Sequence, residues 1–308
     1  MKGLAVFYKP KTWTSFDVVN FLKNKLNEPH IGHAGSLDPN AQGVLLIGVG
    51  RIAAQSLWQI TRDSQKEYIA TVLLGSQSDT YDITGKIIEN NIARFPDLNE
   101  VKNTLEKFKG KIQQIPPKFS AIKIAGTPAY KLARNNQEFK IKPKTVELYG
   151  YEILNYEVKP DSAILKMRLV VSSGFYVRSL ANDLGLMLKT GGLLQDLIRT
   201  RIGSFNINEA IDANSFPEVN LEFYFKANGL VQGIGFRNYA RMLAKKLNIT
   251  GMVQNINSNE IEIIAQGQVN NLQKFLDKIS KGAPMAKIKN TFFYFRKPQK
   301  IYSTFEKH

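Results

Sequence analysis

From Leu221 onward the spacing of apolar side chains changes in an order that few folds can accommodate. Leu221, Phe223, Phe225 and Ala227 alternate with Glu222, Tyr224 and Lys226, the period-two pattern of a strand covered on one face. Tyr239, Ala240, Leu243, Ala244 and Leu247 then recur at helical spacing. Gly251–Asn255 and Glu260–Ala265 read as two strands joined across Asn257-Ser258-Asn259. Leu272, Phe275, Leu276 and Ile279 mark a second amphipathic helix, and a last strand follows Ala286. The resulting order, βαββαβ, is that of the ferredoxin-like motif, and a segment with this order is expected to fold alone.

The chain has 308 residues, long for a single core, so two domains are expected. The boundary is placed in the Pro-containing stretch Ser215-Phe216-Pro217-Glu218, giving segments 1–216 and 219–308. The first segment shows no repeat of the length that marks a solenoid or propeller. A helix is expected after the N-capping pair Thr14-Ser15, burying Val19, Leu22 and Leu26. Another follows Tyr176 and buries Val177, Leu180, Ala181, Leu184 and Leu188. Neither segment alternates strand and helix regularly, so the expected class is α+β for both.

Lys and Arg number 42 against 26 Asp and Glu, a net charge of +16, and residues 221–308 alone carry 14 basic and 5 acidic side chains. Such an excess favours a polyanionic partner through phosphate neutralisation and counterion release. An anionic membrane surface is the competing partner, but no basic amphipathic helix stands out. No apolar run approaches the ~20 residues of a membrane span. The opening Met1–Pro10 is too short in apolar residues for a signal peptide, so a cytoplasmic protein is expected. Cysteine is absent, which excludes disulfides, thiol catalysis and thiolate metal sites. The three histidines, His30, His33 and His308, show no metal-ligand spacing, and no metal site is expected.

Two glycine-containing stretches in the first segment bear on chemistry. Gly48-Val49-Gly50-Arg51-Ile52-Ala53 mimics a dinucleotide fingerprint after the apolar run Val44–Ile47, but the motif is short and the supporting βαβ pattern is missing. Gly32-His33-Ala34-Gly35-Ser36-Leu37-Asp38-Pro39 crowds two glycines and a proline around one acid. By itself that stretch reads first as an Asx-turn in which Asp38 caps its own backbone.

The surrounding sequence resembles the TruB family of pseudouridine synthases, whose loop reads Gly-His-Thr-Gly-x-Leu-Asp-Pro. The resemblance runs collinearly through Tyr8-Lys9-Pro10 with Thr14-Ser15, Lys66-Glu67-Tyr68, Leu74-Gly75 and Asp79-Thr80-Tyr81-Asp82. It continues through Gln114–Lys123, Tyr130–Arg134, Ser172–Arg178 and Leu197–Arg201, covering roughly the first 210 residues. It implies a mixed-sheet catalytic domain in which Asp38 is the nucleophile and Arg178 pairs with it. It also implies that Tyr68 stacks on a flipped-out uridine, that His33 enters the space the base vacates, and that Tyr176, Leu197 and Asp82 lie at the substrate pocket. The implied substrate is uridine 55 in the T-loop of tRNA, with no cofactor. Ala34 replaces the loop Thr, Asn40 and Gln42 replace Leu and Thr, Trp13 replaces Gly, and Ala53-Ala54 replace a Thr-Lys pair. The PUA domain common in the family has no counterpart here.

In the second segment, Gly229-Leu230-Val231-Gln232-Gly233-Ile234-Gly235-Phe236-Arg237 connects the first strand to the first helix. Glycines let backbone N–H groups converge on an anion at a helix N-terminus, and an arginine can hold two phosphate oxygens. With Thr250–Asn255, Gln266-Gly267 and Gly282–Ala286, this stretch resembles the acylphosphatases over about residues 221–296. That resemblance implies a phosphate cradle at Gln232, Gly233, Ile234, Gly235 and Phe236, with Arg237 binding the acyl phosphate and Asn255 orienting water. Met252 stands where Trp is common. The alternative for this segment is a non-catalytic RNA-binding or regulatory module in place of the PUA domain.

Overall fold

A computed structural model describes residues 1–216 and 220–308; Pro217 and Glu218 of the expected boundary lie outside the described residues. The chain begins with β1 (Gly3–Lys9), α1 (Ser15–Leu26), β2 (Ile31–Ala34), β3 (Ala41–Val49) and α2 (Arg51–Thr61). It continues through β4 (Lys66–Leu74), α3 (Leu98–Glu106), β5 (Gly110–Gln114), β6 (Lys144–Val158), β7 (Ala163–Val171), α4 (Val177–Met187) and β8 (Gly192–Ile202). The βαββαβ segment follows as β9 (Leu221–Leu230), α5 (Phe236–Lys246), β10 (Thr250–Asn257), β11 (Glu260–Gly267), α6 (Val269–Ile279) and β12 (Lys287–Arg296). A further short strand, β13 (Phe305–Lys307), has no signature in the spacing of apolar residues. Among the described residues no helix is long and apolar enough to cross a membrane.

Packing divides the chain into two compact units, residues 1–61 with 204–308, and residues 62–203. In the first unit the strand order is β13-β10-β11-β9-β12-β1-β3, with β2 also on β3. β1 is bordered on both sides. It pairs antiparallel with β3 from Gly3↔Val49 to Lys9↔Gly43. Its other edge pairs parallel with β12 at Leu4↔Tyr294 and Ala5↔Phe295, and with Ile211–Asp212 at Phe7↔Ile211. The buried backbone groups of β1 thus find strand partners along either edge.

One core runs through this unit. Phe7, Val18 and Leu22 from the first 61 residues are buried in the same cluster as Phe223, Phe225, Phe275 and Phe295. The rings of Phe7 and Phe216 meet edge to face with centroids 5.4 Å apart. The apolar side chains of the βαββαβ segment thus share one buried cluster with those of β1, β3 and α1. Helix α1 starts where the capping signal places it. Thr14 and Asp17 form a reciprocal capping box, with Asp17 N donating to Thr14 Oγ1 at 3.0 Å and Thr14 N to Asp17 Oδ2 at 2.7 Å. Val19 and Leu22 are buried as expected, whereas Leu26 and, on α4, Leu188 are only half-buried because each lies in or beyond its helix's last turn.

The alternation in β9 misassigns one residue. Glu222 is 1% exposed. Its carboxylate pairs with Arg296 at 2.6 Å and accepts from Gln266 Nε2 at 2.7 Å. Arg296 also reaches Glu209 Oε1 at 2.5 Å, and Tyr294 OH donates to the same oxygen at 2.9 Å. The second face of this sheet is thus covered by a charged network that ties residues 204–216 to β9, β11 and β12.

The second unit is an antiparallel sheet of order β8-β4-β7-β6-β5. Its inner face alternates regularly along β4, with Lys66, Tyr68, Ala70, Val72 and Leu74 buried, and α4 packs there through Leu180, Ala181 and Leu184.

Replacing Arg296 with Met should leave Glu209 and Glu222 buried without their cation. Urea unfolding is expected to show a loss of about 3–5 kcal/mol; an unchanged midpoint would show that the network contributes nothing.

Candidate functional sites

Asp38 sits in the turn between β2 and β3, and the turn is held from several directions. Ala41 N donates to Asp38 O at 3.0 Å, closing the turn, and Thr12 N donates to Pro39 O at 2.9 Å. Ser15, the first residue of α1, accepts from Leu37 N through Oγ at 2.9 Å. Lys9, fully buried at the end of β1, donates from Nζ to Pro10 O at 2.9 Å, to Pro39 O at 3.3 Å and to Trp13 O. Three backbone carbonyls thus satisfy an ammonium that would otherwise cost several kcal/mol to bury. Asp38 itself is half-buried. His33 lies on β2 opposite Ile47 and is half-buried. In the sequence Lys9 is only one letter of a motif; its anchoring role emerges from contact with Pro39, far along the chain.

The remaining residues of the first predicted site belong to the second unit. Tyr68 is 6% exposed on β4, opposite Arg199 on β8, and Leu197 lies opposite Ala70 on the same face. Arg178, in the first turn of α4, is buried. It donates to Thr80 O at 3.1 Å and to Phe119 O at 3.0 Å, and lies 3.6 Å from Asp82 Oδ2. Asp82 is buried too, and its Oδ1 accepts from Thr80 Oγ1 at 2.7 Å, Thr84 N at 2.9 Å and Thr84 Oγ1 at 2.5 Å. The expected pocket acid thus lies beside Arg178 and is itself held by Thr80 and Thr84. Tyr176, half-buried, precedes α4, and Gln114 clamps its backbone by accepting from Tyr176 N at 2.7 Å and donating to Tyr176 O at 2.9 Å.

Lys66 is a residue whose weight the sequence does not reveal. It is 7% exposed and donates to Ser173 Oγ at 2.9 Å, in the loop that leads to Tyr176 and Arg178. Burial, with the nearby Arg199 charge adding to it, pulls its pKa down to about 8.

The second predicted site is compact. Gly233 and Gly235 adopt φ of 72° and 78°, a region that L side chains rarely enter. Gly235 caps α5, and Arg237 stands in its first turn. Gln232, Gly233, Gly235, Phe236, Arg237 and Asn255 line a small cavity of about 120 Å³. The side chain of Ile234 packs instead against the core, and Ile234 is not among the residues that line the cavity. Gln232 Nε2 donates to Glu260 O at 3.2 Å and to Asn257 O. Arg237 Nη1 donates to His308 O at 2.6 Å, and Lys307, on β13, reaches Asn238 Oδ1 at 3.0 Å beside the same cavity.

Comparison with known proteins finds a family match in each part of the chain. Residues 23–177 match the TruB family pseudouridylate synthase (N terminal domain). Over 212 residues the chain is 43% identical to the tRNA pseudouridine synthase B of Ureaplasma urealyticum serovar 10, covering 68% of this chain and 90% of that protein. The chain belongs to the TruB family of pseudouridylate synthases. Another TruB-family relative, the tRNA pseudouridine synthase B of Francisella philomiragia subsp. philomiragia, is 42% identical over 224 residues, covering 72% of each chain. A solved Cbf5-Nop10-Gar1 complex aligns over 94% of this chain and 84% of its own with a TM-score of 0.52 and 19% identity, a likeness of fold. Beyond the TruB match, residues 223–307 match acylphosphatase, so this TruB-family chain carries an acylphosphatase-like domain.

Because the folded-state pKa of Lys66 lies below its unfolded value, the unfolded chain binds the extra proton between about pH 8 and the ordinary lysine value. Stability should therefore rise with pH across that window, relative to a Lys66→Met variant, by on the order of 2–3 kcal/mol. Parallel urea titrations at about pH 7.5 and 10 check this, and an equal change in both proteins would contradict it.

Proposed function

We propose that this chain isomerises a uridine of tRNA to pseudouridine in the cytoplasm, at position 55 of the T-loop, with Asp38 as nucleophile. The observation that carries this reading is the Gly32–Pro39 loop, which keeps both glycines, His33, Leu37, Asp38 and Pro39 with Ala34 in place of Thr, in a chain 43% identical over 212 residues to a tRNA pseudouridine synthase B. The reaction breaks the bond between N1 and the ribose, turns the base, and joins C5 to the same sugar carbon. The C5 proton leaves and N1 gains one, so the change is redox-neutral and requires no cofactor. A carboxylate held ionised can attack the sugar or assist proton removal near it.

The uridine must leave its stack to be reached. In this reading Tyr68 stacks on the flipped base, His33 fills the space it leaves, and Tyr176 and Leu197 line the pocket. Arg178 pairs with Asp38 and keeps it charged. The buried contact of Arg178 with Asp82 at 3.6 Å supports a guanidinium with a set orientation. The acylphosphatase-like domain, in the same proposal, hydrolyses acyl phosphates, with the phosphate on Arg237 and the N–H groups of 232–236, and water oriented by Asn255. The cavity of about 120 Å³ supports a small anion there.

A second reading of that domain, RNA binding, is favoured by its 14 basic against 5 acidic side chains over residues 221–308. It predicts that reversing the charge of the exposed Lys245 and Lys246 at the end of α5 weakens tRNA binding. The slope of log affinity against log salt should then become shallower by about 1 for each phosphate no longer neutralised; an unchanged slope excludes this role for these lysines.

Asp38→Asn should lower pseudouridine formation in T-loop RNA by at least roughly a thousandfold while leaving RNA affinity within about threefold. Mapping the modified base after incubation with each protein decides it. Arg237→Ala should abolish release of phosphate from benzoyl phosphate and leave the isomerisation intact; if the wild type releases none, the hydrolase proposal fails and the isomerase proposal stands.

A further inference from the structure

A cavity of about 1080 Å³ in the first unit shares no lining residue with either site described above. Its walls come from the start of β1, the turn after α1, one side of α2, the later part of α6 with the turn after it, and β12. The start of α2 belongs to Gly48–Ala53, the stretch that mimics a dinucleotide fingerprint, and the fold supplies the strand–turn–helix setting such a stretch needs.

Two glycines there have defined work. Gly50 takes φ of 88° between β3 and α2, and its N–H donates to His30 O at 2.7 Å. A Cβ at Gly48 would lie 2.5 Å from Ala53 O, so the helix rests on the strand only because that position is bare. The first-turn N–H groups of a helix have no acceptor within it; α2 begins at Arg51, and Ala54 N is bonded to Gly50 O at 3.0 Å. The N–H groups before it point their partial positive charge at the end of the helix.

Side chains around this end are of three kinds. Arg51, Lys2 and Lys281 bring positive charge to the cavity. Glu28 and Asp277 line it too, but Glu28 is engaged by His30, through its N–H at 3.0 Å and its ring at 3.3 Å, and Asp277 accepts from Gln273 at 2.8 Å. Ser280 is also on the lining, and its Oγ is buried with no hydrogen-bond partner among the described residues. Phe292 and Ile52, 42% and 85% exposed, are large apolar side chains left on the lining, with Ile60 and Leu276 beside them. Folding alone gives no reason to leave an aromatic ring open at a cavity that size.

We propose that this cavity binds a nucleoside phosphate, with the phosphate at the N-terminus of α2 beside Arg51 and the base against Phe292. β3 has antiparallel neighbours in β1 and β2, so this is not a doubly wound dinucleotide domain; the anion needs only the helix terminus and its cations. The same chemistry is offered by a free nucleotide and by a nucleotide within RNA. The inference does not rest on the isomerase or hydrolase readings.

Calorimetric titration of the 308-residue chain with 5′-AMP tests it, with adenosine and inorganic phosphate as separate arms. Saturable binding of 5′-AMP is expected, weakened at least about tenfold by Arg51→Ala and by Phe292→Ala. Phe292→Tyr should retain binding, and so should Arg237→Ala. Both altered side chains are exposed, and circular dichroism confirms that each variant is folded. Displacement of 5′-AMP by a short single-stranded oligoribonucleotide assigns the site to RNA, and failure to displace assigns it to a free nucleotide. Absence of saturable binding at millimolar 5′-AMP overturns the proposal, as does binding that only Arg237→Ala removes, or phosphate binding as tight as that of 5′-AMP.

Discussion

The first unit depends on β1 having a hydrogen-bonded neighbour along each edge. Ala5, Val6 and Phe7 are fully buried, so every backbone group there must be paired within the protein. β3 satisfies one edge over seven residues, and β12 with Ile211–Asp212 satisfies the other. The strand that opens the TruB-like sequence is thus completed by a strand from the acylphosphatase-like sequence. Phe7 and Phe225, from these two regions of the chain, are buried in one core for the same reason.

That arrangement has a consequence for stability. Removing β12 from β1 would expose a row of unpaired N–H and C=O groups and the apolar faces of Phe223 and Phe295. The charged network of Arg296 with Glu209 and Glu222 adds orientation, since buried ions tolerate few alternative partners. Coupling of the two regions in one folded unit is therefore a property of hydrogen bonding as much as of apolar burial.

The residues assigned to chemistry are held by groups of a different kind. Lys9 gathers three carbonyls around the turn that carries Asp38, and Gln114 grips both backbone groups of Tyr176. Arg178 is fixed by two carbonyls and Asp82. These supports lie on segments far apart in the chain, so in a linear reading Lys9 and Gln114 are motif letters with no role of their own. The residues proposed for chemistry are legible because Asp38, Tyr68 and Arg237 each sit in short local patterns that a family resemblance can register.

Periodicity by itself determined the βαββαβ order, the start of α1 at its capping box, and the buried stripe of α4, because each depends on neighbours within a few residues. It determined them for a segment expected to stand alone, with Glu222 facing water. Tertiary structure decided what those elements pack against. Pairing of β12 with β1, burial of Glu222 against Arg296, the short strand β13, and the cavity before α2 all arise from contacts between distant segments. Local spacing records which face of an element is apolar; it does not record what comes to cover that face, because the covering group is chosen by the whole chain's packing.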